Sequence, residues 1–453
     1  AFAAPYLERT YGRLLENRVL YEALAPDVFG RSNSLDYWVT RAGIVAKQHG
    51  IVRTKRSPQE IETEVGAWVF SSATSVQRRQ SLEGLGLARF GLTPDALERL
   101  GPDIGRFARL LGDESAARDF FDVLVADMRL RGALSLPPSV DPNDDHFQPR
   151  TGIWSFRNSG GGDPKQRLFS WLPAEGRTNN RSNFVEKVLR TAQGDAFKEE
   201  NVARTLDIVW KALEGADVLR GLERNRTAST VDRSCIEVRR GDLAEWHECD
   251  KCRSITAFNV LGVCPTGGCT GTLSPVNLDA ESYRDNHYRR LSTSMNMTPL
   301  HAKEHTAQWT PKKAGEIQKE FIAGTINVLS CSTTFELGVD VGDLQAVVLR
   351  NTPPRTANYV QRAGRAGRRA GSAAFVLTFA KRAAHDMSVY RDPIAMIDGV
   401  MRTPYVTIDN ERIATRHAYS VAFAEFLRVH ATDWANWKKT GDFFLAADAE
   451  DRA

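Results

Sequence analysis

Cys249 and Cys252 form one CxxC pair, Cys264 and Cys269 form a second as CPTGGC, and eleven residues separate the pairs. Paired thiolates at this spacing suit one tetrahedral Zn(II), because each pair can sit on a tight knuckle and Gly267 and Gly268 let the backbone close around the ion. Four thiolates fill the coordination shell and leave no position for water. The ion would therefore hold the segment folded rather than do chemistry. Ile255 to Leu261 reads as a strand between the knuckles, and His247 is close enough in sequence to compete as a ligand. Cys235 and Cys331 have no partner at ligand spacing, and Cys331, at the end of an apolar run, reads as a core residue.

A second set of residues could stabilise charge that develops during a reaction. Between Asp343 and Asp386 the chain carries eight basic residues and no acidic one, and within that stretch Gln361 to Arg368 reads QRAGRAGR. In phosphoryl transfer the charge spreads over the γ-phosphate oxygens, and arginines brought there are worth roughly 1000- to 100,000-fold in rate. Arg365 and Arg368, three apart on one helix, could point the same way, with Gly364 and Gly367 leaving room for phosphates. A solvated arginine-rich helix is the bland alternative. Such helices seldom use Gly twice in four residues, since each costs about 1 kcal/mol against Ala.

Taken with Ser332-Thr333-Thr334-Phe335-Glu336-Leu337-Gly338-Val339-Asp340, this segment resembles the second RecA-like lobe of superfamily 2 helicases. The first run is similar to motif V and the second to motif VI, QxxGRxGR. The resemblance implies that Gly338 lets backbone approach a nucleotide, Asp340 accepts from its ribose, Gln361 sits beside it, and Ser332 and Thr333 meet a nucleic-acid phosphate. A narrower resemblance covers residues 300 to 427. It is carried by GVDVGDLQAVVLRNTPPRTANYVQRAGRAGRR, by HDMSVYRDP from His385 and by IDNERIATRH from Ile408 to His417. These are similar to helicases associated with a cysteine-cluster domain, a group that includes mitomycin-repair helicases and the helicase subunit of the DISARM phage-defence system. In the repair helicases the cysteine cluster follows the motor, whereas here it precedes the second lobe. The resemblance implies an ATP-dependent DNA helicase in phage defence or repair, with ATP and Mg(II) as cofactors and, in a defence system, a further subunit as partner.

These residues need elements to hold them. With 453 residues the chain has room for about three cores. Apolar residues make up 42% and charged residues 26%, an ordinary globular composition, and the net charge of +4 is too small to prove a polyanionic partner by itself. No apolar run reaches the length of a membrane span, and few, clustered cysteines favour a reducing cytoplasm. From Leu7 to near Pro26 the apolar spacing is helical, and the first 130 residues read as mostly helical. Phe120 to Leu136 and Leu206 to Leu222 each run a helix into a turn and short apolar segments, a winged-helix-like order. Pro137 to Pro149 and Asn158 to Pro164 read as loops. From Pro299 onward, runs at Ile326 to Cys331, Ala346 to Arg350 and Ala374 to Phe379 read as buried strands of a doubly wound parallel sheet, with crossover helices at Pro311 to Ala323 and Ala357 to Arg369.

The expected fold is thus an α/β RecA-like lobe after a mostly helical region and a zinc ribbon. The expected domains are a helical one at 1–150, a mixed segment at 151–232, the ribbon at 233–280, the lobe at 281–430 and a helical extension at 431–453. Neither a GxxxxGK[ST] loop nor an acidic box for Mg(II) occurs in these residues, so half an ATP site is expected, completed by a first lobe of the parent chain or a partner. Ser72-Ala73-Thr74 spells the SAT of helicase motif III, but no acidic box precedes it and it reads as coincidence. Arg355 and Lys381 would add phosphate contacts to a single-stranded or tailed DNA track. The rival reading is a non-hydrolysing module that binds nucleic acid or protein through a zinc ribbon and a degenerate lobe. Such a module would have no need of Arg365 and Arg368.

Overall fold

Ser57, Pro58 and Glu60 show how the local sequence starts a helix here. The Ser57 side chain accepts from Glu60 N, the Glu60 carboxylate accepts from Ser57 N, and Pro58 occupies the first turn, where a missing N–H costs nothing. Thr93 and Thr310 cap later helices without the reciprocal glutamate, accepting from Ala96 N and Lys313 N, with Pro94 and Pro311 in the first turn. The computed structural model describes residues 3–24, 33–52, 57–75, 80–222, 225–306, 308–332, 344–367, 374–400 and 410–434.

The chain divides into two compact units, Ala1–Ser332 and Thr333–Ala453. In the first, the helices are α1 (Ala3–Ala23), α2 (Leu35–Gln48), α3 (Pro58–Ala73), α4 (Pro94–Arg99), α5 (Gly101–Leu111), α6 (Glu114–Leu130), α7 (Asn180–Gln193), α8 (Glu200–Gly215), α9 (Glu281–Arg284), α10 (His287–Ser294) and α11 (Pro311–Ile322). Its strands are β1 (Ala88–Leu92), β2 (Ser155–Arg157), β3 (Leu168–Ser170), β4 (Leu219–Leu222), β5 (Asn225–Val231), β6 (Ile236–Arg240), β7 (Trp246–Cys249), β8 (Ile255–Thr256), β9 (Leu273–Val276), β10 (Ala302–His305) and β11 (Val328–Cys331). The second unit holds β12 (Ala346–Leu349), α12 (Thr356–Ala363), β13 (Phe375–Thr378), α13 (Ala384–Arg391), α14 (Ile394–Ile397), α15 (Glu411–Val429) and α16 (Ala431–Trp434).

The helical start expected from the sequence is present, with one addition. β1 interrupts it and pairs antiparallel with β6, Phe90 opposite Val238, a partner about 150 residues away that no local pattern announces. α8 runs into the antiparallel hairpin β4–β5, and a four-stranded sheet forms in the order β3-β2-β5-β4. One continuous apolar core runs through this unit, including Trp38, Phe90, Phe120, Phe121, Phe156, Trp171, Phe184 and Trp210. Two of the indoles inside it donate to backbone: Trp38 Nε1 to Leu20 O at 3.0 Å and Trp171 Nε1 to Leu206 O at 2.8 Å.

Arg129, on α6, is only 1% exposed. Its guanidinium donates two bonds of 2.8 Å to Glu83, another to Ala73 O at the carboxyl end of α3, and lies 4.6 Å from the Phe90 ring. A buried cation left unpaired would cost several kcal/mol, so α3, the 80–87 turn and β1 are held to the positions that answer it.

The strands of the sequence-expected α/β region run parallel as expected, β10 with β11 and β12 with β13. They are less enclosed than their composition suggests. On β12–β13, Val348 is 66% exposed and Leu377 51%, on the face shared with Ala346 and Phe375. Apolar runs of a parallel sheet need cover on both faces, and on this face the described residues supply none. Cys331, expected in the core, is exposed at the end of β11. Among the described residues no helix is long and apolar enough to cross a membrane.

The loop between α6 and β2 is pinned to α1 by His146. Its Nδ1 lies 2.6 Å from Asp144 and its Nε2 3.2 Å from Glu16. The hydrogen bond to Glu16 and its charge, then those of Asp144, outweigh partial burial and raise the imidazole to about 9. An unfolded chain would leave it near 6.5. The protonated ring therefore stabilises the fold fully below about pH 6.5, and that contribution is lost as pH rises through about 9. His146→Gln should cost about 1 kcal/mol in urea unfolding at pH 6, after allowing for solvent at the ring, and the difference from wild type should close by pH 10. A gap that does not change with pH would mean the ring is neutral in the fold.

Candidate functional site

The four cysteines come together as the spacing predicts. β7 ends on Cys249 and pairs antiparallel with both β8 and β9, which places the first knuckle at the tip of a three-stranded sheet. Arg253 N donates to Cys249 O and Cys269 N to Thr266 O, closing the two turns. Gly268 takes a left-handed φ of 73° in the second. Gly271 is required for a different reason: a Cβ there would lie 2.4 Å from Cys249 Sγ. The Sγ atoms of all four cysteines lie within 4.8 Å of one another, with Cys249 and Cys269 3.6 Å apart and Cys252 and Cys264 3.7 Å apart. Sulfurs each about 2.3 Å from one ion in a tetrahedron stand about 3.8 Å apart, so the set can hold a metal ion with little movement.

The thiols are unequal. Burial pushes Cys249 up to about 12. At Cys252 burial acts in the same sense, but hydrogen bonds with Ser254 and Thr266 outweigh it and bring the thiol down to about 6. All four can be thiolates together only beside a cation. His247, on β7, is buried and is not among the clustered ligand atoms. The strand expected from Ile255 to Leu261 is only two residues long. Asn259 N turns away to donate to Asp119 at 2.7 Å, and Leu261 adopts a positive φ of 52°, so the chain leaves the sheet.

Lys187 is the residue here that sequence reasoning missed. Its ammonium donates to Cys264 O and to Cys269 O, both at 2.8 Å, and so clamps the second knuckle onto α7. It lies 77 residues before Cys264, and nothing in its neighbourhood marks it. Arg89 over the Phe258 ring, 4.9 Å from its centroid, adds a second attachment.

The second set of residues is placed by β12–α12–β13. Because the strands are parallel and α12 returns between them, Arg355 and Lys381 both follow strand carboxyl ends, while Gln361 and Arg365 lie at the far end of the helix, toward the amino edge. Asp386 fastens the carboxyl edge: Lys381 N and Thr352 N donate to its carboxylate at 2.9 and 3.3 Å, and these two bonds, the Lys381 one first, hold it below the usual carboxylate range. At the amino edge α12 stops at Ala363, shorter than expected. Gly364 caps it, Gly367 turns at φ 78°, and Gly367 N donates to Leu344 O at 2.9 Å, with Ala366 bridging Leu344. Arg365 thus lies just past the helix, half-buried, and the expectation of Arg365 and Arg368 on one helix is corrected. Backbone pairing to Leu344 takes over where the second glycine breaks the helical ladder. Arg355, the cap residue of α12, Gln361 and Lys381 are exposed, as is Ser332, just after β11 in the first unit. Thr333, Gly338, Asp340 and Arg368 lie outside the described residues.

Residues 281–370 match the helicase conserved C-terminal domain. The chain is 34% identical over 206 residues to the Druantia protein DruE of Escherichia coli (strain UMEA 4076-1), covering 41% of this chain and 11% of that protein. It is 30% identical to the uncharacterised ATP-dependent helicase YprA of Bacillus subtilis (strain 168), covering 25% of this chain and 15% of that one. Among solved structures, the DUF1998 helicase MrfA bound to DNA and AMPPNP aligns at 25% identity with a TM-score of 0.25, over 29% of this chain and 18% of that one. The matched stretches are thus small parts of these relatives. Residues 281–370 thus carry a helicase C-terminal, RecA-like lobe.

If the cysteines share one ion, purified protein should contain about one zinc per chain, and Cys264→Ser should remove it and lower the melting temperature. Lys187→Met should leave the ligands in place yet release the metal to a chelator about tenfold faster, the lower end of what outer-shell partners contribute. Release at the wild-type rate would show that the clamp does not act on the metal.

Proposed function

We propose that this chain is the C-terminal part of an ATP-dependent superfamily 2 DNA helicase or translocase that works in bacterial phage defence or DNA repair. It supplies motifs V and VI to an ATP site whose other half comes from a first RecA-like lobe, on the same polypeptide or on a partner. The observation that carries the reading is the QxxGRxGR run inside the matched domain, whose Ala366 and Gly367 are tied to Leu344, just beyond the run that contains Gly338 and Asp340. That tie favours one site for both motifs. Arg365 and Arg368 are the charge-stabilising arginines in this reading, with Gln361, Gly338 and Asp340 around the nucleotide. ATP with Mg(II) supplies the phosphoryl group when bound.

The cysteine cluster is assigned a structural Zn(II). Its sulfur separations match a tetrahedral thiolate site, and four ligands leave no open position. The track is assigned as DNA, single-stranded or tailed, gripped at phosphates by Ser332 and Thr333 and by Arg355 and Lys381. Exposure of both basic side chains at one strand edge supports that role. Contacts of this kind read charge rather than base edges.

In the complete motor, Arg365→Ala and Arg368→Ala should each lower nucleic-acid-stimulated ATP hydrolysis by about 1000-fold while ATP affinity changes little, because the arginines meet the γ-phosphate chiefly in the transition state. Turnover within about threefold of wild type would remove them from the mechanism. Replacing both Arg355 and Lys381 with Gln should reduce the salt dependence of single-stranded DNA binding by about 1.4 in log–log slope, two phosphates' worth. An unchanged slope would take these residues off the track.

A further inference from the structure

A cavity of about 120 Å³ opens in the first unit between α1, the carboxyl end of α3 and the loop around residues 132–153. A single water needs only roughly 10–15 Å³ of such space, so a tetrahedral oxyanion fits with room to spare. Its wall holds Arg13, Asn17, Ser72, Ser81, His146 and Arg150. Both guanidiniums are half-buried and pre-set by backbone: Arg13 donates to Asp145 O at 3.2 Å and Arg150 to Leu130 O at 2.9 Å, each through one nitrogen. Arginine offers several donors in a fixed fork, so each keeps others for a planar or tetrahedral anion. Glu16 also lines the cavity, but its carboxylate is answered by the protonated His146. The wall therefore keeps a positive excess. Ser72 adds an independent sign. It is buried, it lines the cavity, and its hydroxyl has no hydrogen-bond partner, which is uncommon for a buried polar group.

We propose that this cavity is a phosphate-binding site, taking a phosphodiester of a nucleic-acid strand or the phosphate of a free nucleotide. Ser72 and Thr74, in a stretch the sequence left without a role, then form part of its wall. The inference rests on the helicase reading only for nominating a nucleic-acid strand as one source. It lies outside the lobe that carries the ATP and track residues.

The test is arginine labelling of the whole chain with 4-hydroxyphenylglyoxal, read peptide by peptide by mass spectrometry. The probes are a 20-nucleotide single strand, its uncharged methylphosphonate analogue, ADP and inorganic phosphate. Labelling of Arg13 and Arg150 should slow at least about fivefold with a phosphate ligand and not with the methylphosphonate strand. Protection by the strand alone identifies a phosphodiester, and protection by ADP or phosphate alone identifies a free ligand. Arg355 labelling, followed in the same digest, reports the lobe separately, so failure of the helicase reading and failure of this one are distinguishable. In calorimetric titrations of the protecting ligand, which need no label, Arg13→Gln with Arg150→Gln should lower affinity at this site by at least about tenfold, as expected for lost bonds to a charged group, and Arg13→Lys with Arg150→Lys should restore part of it. Equal labelling with and without every probe overturns the proposal even if the Gln variant fails to fold. So does equal protection by the uncharged strand, or protection that needs near-molar phosphate.

Discussion

The guanidinium of Arg129 sits where water cannot reach it, and the first unit is arranged around answering that charge. Glu83 supplies the counter-charge, the last turn of α3 supplies a carbonyl and Phe90 supplies a ring face. Each comes from a different element, so one buried cation fixes the end of α3 against β1 and α6. Two further features follow. The wall of the polar cavity includes Ser72, one residue before the carbonyl that Arg129 holds. And β1, once placed, pairs with β6, which leads directly into β7 and the first pair of cysteines.

The cysteine-cluster module is attached to this frame and does not dangle from it. Lys187 reaches into the second knuckle from α7, Asp119 of α6 accepts from Asn259, and Arg89 of β1 covers Phe258. Gly267 packs so closely on Asn180 that a Cβ there would lie 2.4 Å from the amide oxygen. These contacts convert a small three-stranded sheet, which could not bury a core of its own, into a part of the larger body. An ion held by the four sulfurs would then stabilise more than its own loop, because the knuckle carbonyls it orients are the ones Lys187 grips.

In the second unit the organising constraint is the parallel crossover. Two parallel strands joined by a helix must present consecutive loops at opposite edges. Asp386 closes one edge by accepting from two backbone amides, and Gly367 closes the other by pairing with Leu344. This separates Arg355 and Lys381, which follow strand carboxyl ends, from Gln361 and Arg365 at the amino edge.

The sequence alone determined what depends on short spacing. CxxC and CPTGGC fix which sulfurs can meet, Pro311 marks where a crossover helix starts, and the runs at 326–331, 346–350 and 374–379 contain the parallel strands β11, β12 and β13. Local geometry and side-chain periodicity suffice for these. It also carried the resemblance to a second RecA-like lobe through QRAGRAGR. Tertiary structure decided the rest. The clamp from Lys187, the β1–β6 pairing and the counter-charge at Arg129 join residues 77, about 150 and 46 positions apart, and no periodicity encodes such partners. Where α12 ends was also beyond the sequence, since a glycine pair inside an arginine-rich run is compatible with a helix until a backbone partner such as Leu344 is available. Cys331 and Val348 illustrate the same point from the other side: an apolar strand states that it needs cover, but only the packed chain says which faces receive it.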